Sequence, residues 1–511
     1  MQINIFTRLT LNKLIMTTNR RNFLKTATLA GAGAMAGGLI SGCTPKQSES
    51  NLATIMESVK KSHTQKFNMS GYAAPALPKI RVGIIGLGDR GSGAVERLSY
   101  IEGVEIKALG DKREVAVKES QKYLARIGRP AAQEFFGEEN IWKKLVELPD
   151  LDLIYTCTPW IMHTPISVYS MENGKHVACE VPIARTISEA WQLVETSEKT
   201  RKHCMMLENC CYDFFELLTL NMARQGMFGD IIHGEGAYIH NLMGYNFKKP
   251  LDDKQTDGAY TDMWRLKENA TRNGNLYPTH GLGPVCQALN INYGDRMDYL
   301  SSVSTFDFTM APKEKELIAQ DSFYAPWKDS KFRGNMNTTI VKTALGKTIM
   351  IQHDVSSIHP YSRIHLIKGT KGMVRKYPSE LIALDEEWAD EARMKELYAQ
   401  YSPEIVKRVG EMAKKVGGHG GMDFIMDWRL MDCLRNGLPL DQSVYDGAAW
   451  SSIAPLSEWS VANRSQSIDV PDFTGGSWKT NKPHGINLET GGTTKVLDIE
   501  ESKEEMQLNV K

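Results

Sequence analysis

Residues 82–91 read Val82-Gly83-Ile84-Ile85-Gly86-Leu87-Gly88-Asp89-Arg90-Gly91, and this stretch decides the fold. The run Ile80 to Ile85 leading into it is β-branched and apolar, which predicts a buried parallel strand. A helix is expected to open within the glycines and run to about Ser99. Gly86, Gly88 and Gly91 carry the spacing of a dinucleotide turn. The first permits the tight turn, the second lets a pyrophosphate approach the backbone, and the third lets helix and strand pack closely. The spacing alone is weak evidence, but here it sits between a strand and a helix. Asp111 follows Gly91 by twenty residues, at the end of the next strand, Val104 to Leu109. A carboxylate there suits the adenosine ribose hydroxyls and favours NAD over NADP.

Outward from this turn the pattern repeats. Leu151 to Cys157, His176 to Cys179 and His203 to Leu207 are short apolar runs, with a helical stretch at 164–172. Strands alternating with helices predict a doubly wound parallel sheet, a Rossmann domain over residues 79–208. Ligands of such sheets sit at the carboxyl ends of the strands. The residues there are Thr158-Pro159-Trp160, His163, Glu180-Val181-Pro182 and Asn209. From Tyr212 the character changes. A helix to about Met227 leads to strand-like segments at 231–240, 299–309, 338–355 and 362–374, with helices at about 385–415 and 422–437. These define a second α+β domain, residues 209–470, on a mostly antiparallel sheet. Residues 471–511 read as a polar, loosely attached tail, and 44–78 as a tether.

Upstream, residues 19–25 read Asn-Arg-Arg-Asn-Phe-Leu-Lys, a twin-arginine export signal. The apolar stretch Ala27 to Ile40 is too short to span a bilayer. It ends at Ile40-Ser41-Gly42-Cys43, a lipobox with Cys43 as the lipidation site. Residues 1–43 are thus expected to be a lipoprotein signal, starting at Met1 or Met16, that places the chain in the periplasm or at the outer membrane. No pool of NAD exists there. Twin-arginine export carries folded proteins, so the expectation is a cofactor loaded before transit, kept bound and regenerated in each cycle.

Sixty-one Lys and Arg balance sixty-one Asp and Glu. That neutrality excludes nucleic acid as a partner; self-association into a homo-oligomer is left open. The other cysteines, Cys157, Cys179, Cys204, Cys210, Cys211, Cys286 and Cys433, show neither zinc spacing nor a disulfide framework, and no metal is expected.

Thr158-Pro159 with His163 nearby, then Glu180-Val181-Pro182, resembles the Gfo/Idh/MocA oxidoreductases over about residues 79–465. The resemblance implies an open second sheet lining a substrate cleft. Two positions depart from the sugar dehydrogenases of that group: Val181 stands where they have a lysine, and Leu276, four residues before His280, where they have an aspartate. Leu276-Tyr277-Pro278-Thr279-His280-Gly281-Leu282-Gly283-Pro284 is instead similar to a signature of glycoside hydrolase family 109. So are Trp264-Arg265, Pro360-Tyr361-Ser362-Arg363, Gly418-His419-Gly420-Gly421-Met422-Asp423 and Glu208-Asn209-Cys210-Cys211-Tyr212.

That resemblance implies an NAD-dependent α-N-acetylgalactosaminidase acting on terminal N-acetylgalactosamine of glycans. It implies NAD contacts from Asp89, Arg90, Asp111, Trp160 to His163, Glu180, Val181 and Asn209, and sugar contacts from Tyr238, Arg265, Tyr277, Pro278, Thr279, His280 and Tyr361. In the implied route NAD takes hydride from C3, a base removes the C2 proton, the C1 substituent leaves, water adds and the hydride returns. This is an exception to the usual carboxylate pair of glycosidases. His280 and Tyr277 lead as acid and base, followed by Tyr238, Tyr361 and Glu180. The alternatives are an exported NAD(P)-dependent sugar dehydrogenase or epimerase, a family member with another linkage or sugar preference, and a sugar-binding lipoprotein with a vestigial cofactor fold.

Overall fold

The computed structural model describes residues 49–249, 260–483 and 485–497. The export signal and Cys43 lie outside the described residues.

The first sheet has six strands: β1 (Ile80–Ile85), β2 (Val104–Gly110), β3 (Gln133–Phe135), β4 (Leu153–Thr156), β5 (His176–Cys179) and β6 (Cys204–Met206). Their order is β3-β2-β1-β4-β5-β6 and every pairing is parallel. The strand order reverses between β1 and β4, which opens a crevice at their carboxyl ends. Helices cover both faces, so the central strands β1, β4 and β5 are buried along nearly their whole length, with only Arg81 less than fully buried, and do not alternate. Strand β3 was not expected. Its three residues, none of them fully buried, carry no apolar run to read.

The second sheet has eight strands: β7 (Ile231–Ile239), β8 (Met297–Ser304), β9 (Asn337–Thr343), β10 (Thr348–Asp354), β11 (Leu366–Gly369), β12 (Met373–Arg375), β13 (Leu381–Ala383) and β14 (Ile468–Asp469). Their order is β13-β12-β11-β7-β10-β9-β8-β14. Only β7 and β10 pair in parallel. Helices Thr279–Ala288 and Val444–Ala462 pack on one face, against β7 and β8. Tyr299, Val303 and Ile340 are exposed on the other. The single segment expected at 338–355 is a hairpin that turns at Gly346, φ +89°.

Helix Val444–Ala462 was missed from the sequence for a physical reason. Sixteen of its residues are buried, so it has no polar face and shows no amphipathic period. It lies between the domains, against helix Ile187–Thr200, β6 and β8.

Two expectations are corrected. From residue 49 the tether is part of the body: helix Glu49–Val59 docks on helix Ile187–Thr200, the Trp191 indole donates to the Ser58 carbonyl at 3.0 Å, and Ile55 and Met69 are buried. The described tail is packed as well. Phe473, Thr474 and Ile486 are buried, and Val496 bridges to Ile101 beside β2. A few large apolar residues spaced among polar ones suffice to dock an irregular segment, and such spacing leaves no periodic signal. The seven described cysteines are free thiols.

Candidate active site

The cofactor cleft is built by the turn between β1 and helix Asp89–Ser99. A Cβ on Gly91 would lie 1.8 Å from the Gly86 carbonyl oxygen, so strand and helix meet backbone to backbone. A Cβ on Gly88 would meet nothing within 4 Å. Gly88 caps the helix without a side-chain hydrogen bond, so the first helical N–H groups face open space. That is an anion cradle. Asp111 stands beside it, its carboxylate accepting from Leu87 N–H at 2.7 Å and Arg113 N–H at 2.8 Å. These features fit a dinucleotide. Asp111→Ala is expected to weaken NAD retention about 10–100-fold, the loss of a charged acceptor worth roughly 1.5–3 kcal/mol. Equilibrium dialysis measures it.

Arg90, on the first turn of that helix, donates to Glu180 at 2.6 Å and to Asp423 at 2.7 Å. Asn209 also donates to Asp423. His163 is fully buried, with its two ring nitrogens 2.7 Å from the carbonyl oxygens of Pro182 and Thr158. It therefore sits between the segments that follow β4 and β5, with one ring N–H to donate to either carbonyl. Val181, also buried, is apolar where a lysine would offer an ammonium.

The second domain supplies the facing wall. Strand β7 and helix Thr279–Ala288 approach across Gly236 and Gly281, where an added Cβ on Gly236 would lie 2.3 Å from the Gly281 carbonyl oxygen. This contact presses Tyr238 against Tyr277 and His280, with ring centroids 4.7 and 5.3 Å apart. Trp160, from the first domain, stacks on Tyr277 at 5.7 Å. Arg265 is buried among Trp160, Tyr238, Tyr260 and Tyr277, its guanidinium carbon 4.8–5.8 Å from their ring centroids. It donates to the Tyr260 hydroxyl at 2.9 Å. Among the described residues no carboxylate pairs with it, and its Nη2 has no partner. Tyr361 stands at the mouth, more than a third exposed, with its ring edge to Tyr238 and His240. Thr279 is fully buried and Pro278 precedes the helix, so these two shape the wall from behind.

One residue, quoted above only within the signature run 208–212, was not expected to act in the site. Glu208, just beyond β6 and fully buried, lies 2.7 Å from His280 Nδ1. A carboxylate only accepts, so Nδ1 carries the proton and Nε2 is left to face the Tyr277 hydroxyl at 3.4 Å. Burial pushes the Glu208 carboxyl up, but His280, the Thr279 hydroxyl and the Cys210 N–H together hold the group below its ordinary 4.5. It is therefore ionised at neutral pH. Its stabilising contribution is present above about pH 4.5 and is lost as the pH falls through the lower folded value. Glu208, Cys210 and His280 also bring a carboxylate, a thiol and an imidazole within 4.8 Å of one another, and within that group Glu208 and His280 are joined by their hydrogen bond. The signal in the sequence was a carboxylate at a strand end, where ligands gather, with no way to see that His280 would lie above it. Burial raises the hydroxyls of Tyr277 and Tyr238 above their ordinary range, so both are protonated at neutral pH.

The family model "Glycosyl hydrolase 109, C-terminal domain" matches residues 212–480. The chain belongs to glycosyl hydrolase family 109. A second model, "Oxidoreductase family, NAD-binding Rossmann fold", matches residues 80–208, and NAD is the cofactor of this family 109 hydrolase. It is 43% identical over 479 residues to a "Glycosyl hydrolase family 109 protein" of Shewanella pealeana, covering 92% of this chain and 99% of that one. It is 48% identical over 412 residues to the "Alpha-N-acetylgalactosaminidase" of Bacteroides fragilis, covering 80% and 95%. An NAD binding oxidoreductase from Klebsiella pneumoniae shares the fold at a TM-score of 0.57 and 15% identity, over 77% of this chain and 99% of that one.

Proposed function

We propose that this family 109 hydrolase removes terminal α-linked N-acetylgalactosamine from glycans with a resident NAD that is recycled in each turnover. The name of the Bacteroides fragilis relative supports the sugar. The observation that carries the mechanism is the chain Tyr277–His280–Glu208 beside the buried Arg265, whose Nη2 has no hydrogen-bond partner.

Bound NAD supplies a reversible oxidation at C3 of the sugar. With C3 at the ketone level the C2 proton becomes acidic, and the protein's task is proton transfer. A proton taken by His280, directly or passed on through the Tyr277 hydroxyl, adds positive charge that ionised Glu208 offsets, while Glu208 holds the imidazole in one tautomer and orientation. Arg265 cannot lose its proton, and its free Nη2 suits the oxygen on which negative charge grows or the N-acetyl carbonyl. Tyr238 and Tyr361 would hold the ring, and Tyr238 would have His240 Nδ1, 3.0 Å away, as a relay. Glu180 is committed to Arg90, which favours a role on the cofactor side.

The test is hydrolysis of a p-nitrophenyl α-N-acetylgalactosaminide in heavy water without added NAD. Turnover with deuterium at C2 of the released sugar is expected. Protium at C2, together with no rate effect from C2-deuterated substrate, overturns the elimination route. Glu208→Gln is expected to lower turnover roughly 10–100-fold, the value of one hydrogen bond to a charged group. KM should change little, since Glu208 is buried behind His280.

We propose further that the protein is exported and held at a membrane by lipid on Cys43. The twin-arginine pattern and Cys43 support export and a lipid anchor. Cys43→Ala is expected to move the protein from the membrane to the soluble fraction.

A further inference from the structure

The segment 417–423 takes no part in the chemistry above, yet it reaches the cofactor cleft from the second domain. Its backbone is unusual: Gly417, Gly418, His419, Gly420 and Gly421 all have positive φ, at +93°, +82°, +48°, +76° and +109°. Four of the five are glycines, which alone adopt that region without penalty; His419 holds it as a non-glycine. The path brings the His419 ring to Asp423 at 2.9 Å and to Arg90 at 3.1 Å. Asp423 opens helix Met422–Asn436 and is almost fully buried. One of its oxygens accepts from Arg90 and lies beside His419; the other accepts from Asn209. Arg90 in turn holds Glu180. Asp423 thus gathers residues from three places that border the nucleotide cleft: the first turn after the glycines, the end of β5 and the segment after β6.

Arg97 also reaches Asp423, at 3.7 Å, but domain packing does not call for the Arg90 and His419 contacts. One turn further along helix Met422–Asn436, Asp427 accepts from Arg97 at 2.7 Å and from Tyr155 at 2.8 Å, fully buried. That pair already joins the two helices. The Arg90 rung lies at the mouth instead, with Arg90 and His419 partly open to solvent. Burial pushes the Asp423 carboxyl up, but Arg90, His419 and Arg97 together hold it well below its ordinary range, so Asp423 is ionised at neutral pH.

We infer that residues 417–423 form a latch that retains NAD, with Asp423 and His419 acting as positioning residues that fix Arg90 and Asn209 over the bound dinucleotide. The inference rests on the proposal that NAD stays resident through the cycle. A cofactor that cannot be replaced outside the cytoplasm needs slow release, and a contact from the opposite domain supplies it without touching the reacting carbon.

The experiment uses full-length enzyme purified with its NAD. His419→Ala and Asp423→Asn are compared with wild type for nucleotide content on denaturation, for the rate of NAD loss on dilution, and for turnover with and without excess NAD. NAD is expected to leave both variants at least 10-fold faster. Excess NAD should raise their turnover towards the wild-type value, while wild type does not respond. His419 is more than half exposed, so its variant tests the latch even if Asp423→Asn folds poorly. Wild-type retention in His419→Ala and in any folded Asp423→Asn overturns the latch. So does lost turnover that excess NAD leaves unchanged, accompanied by a lower melting temperature of the NAD-free protein, because the residues then only hold the domains together. Wild type that itself carries no NAD defeats the resident-cofactor reading instead, and the latch with it.

Discussion

Tyr277→Phe and His280→Gln are each expected to reduce turnover by about 10²–10⁴-fold, the contribution of a positioned acid or base. Bound NAD should be unchanged, because both side chains face the sugar pocket and not the glycine turn. Stability separates the substitutions. Tyr277→Phe removes a hydroxyl whose described partner is His280 at 3.4 Å, and its melting temperature should stay near wild type. His280→Ala strands Glu208, which is fully buried. With the imidazole gone, burial is left to push the carboxyl up, and Glu208 takes a proton instead of remaining as an unpaired charge. His280→Ala should therefore melt lower than wild type. His280→Gln keeps an N–H for Glu208 and tests chemistry with less loss of stability. Turnover, NAD content and melting on the same preparations decide the matter. Near-wild-type turnover in Tyr277→Phe and His280→Gln removes both from the proton-transfer role and moves it to Tyr238 and Tyr361.

The second large effect is expected at the glycine turn, where two neighbouring glycines should fail differently. Gly91→Ala places a methyl 1.8 Å from a backbone oxygen, and a backbone atom cannot swing aside. The helix must move off the strand, so a stability loss at or above the usual overpacking range of about 1–3 kcal/mol is expected, together with loss of NAD. Gly88→Ala meets no protein atom within 4 Å, and its φ of −72° and ψ of −162° suit any residue. The NAD-free variant should melt as wild type does. Its new methyl projects into the space proposed for the pyrophosphate, so NAD retention should fall about 100-fold or more, equivalent to ~2.7 kcal/mol. Calorimetry of NAD-free protein and isothermal titration with NAD separate the two. A Gly88→Ala protein that binds NAD normally means that the phosphates lie elsewhere.

The contrast between those glycines marks what could be read without a structure. The turn at 82–91, Asp111 and the apolar strand runs announce themselves because they are local. A tight turn needs glycine at set offsets, and a strand buried on both faces needs an unbroken apolar run. The signature around Tyr277 and His280, with Arg265 and Tyr361, marked the sugar side by resemblance. Helix Val444–Ala462 was illegible because burial all round erases the amphipathic period. The packed tether and tail were illegible because a handful of anchors such as Ile55, Met69, Phe473 and Ile486 dock them without any repeat.

By itself, then, the sequence determined the Rossmann turn, the two-sheet architecture and the residue types of the candidate site, since each follows from neighbours along the chain. Only the tertiary structure decided who faces whom. It put Glu208 under His280 across 72 residues, set His163 between the carbonyls of Thr158 and Pro182, left Arg265 among four aromatic rings, and tied Arg90 to Asp423 across 333 residues. Pairings over such separations depend on how the sheets and helices pack, and no local pattern encodes that.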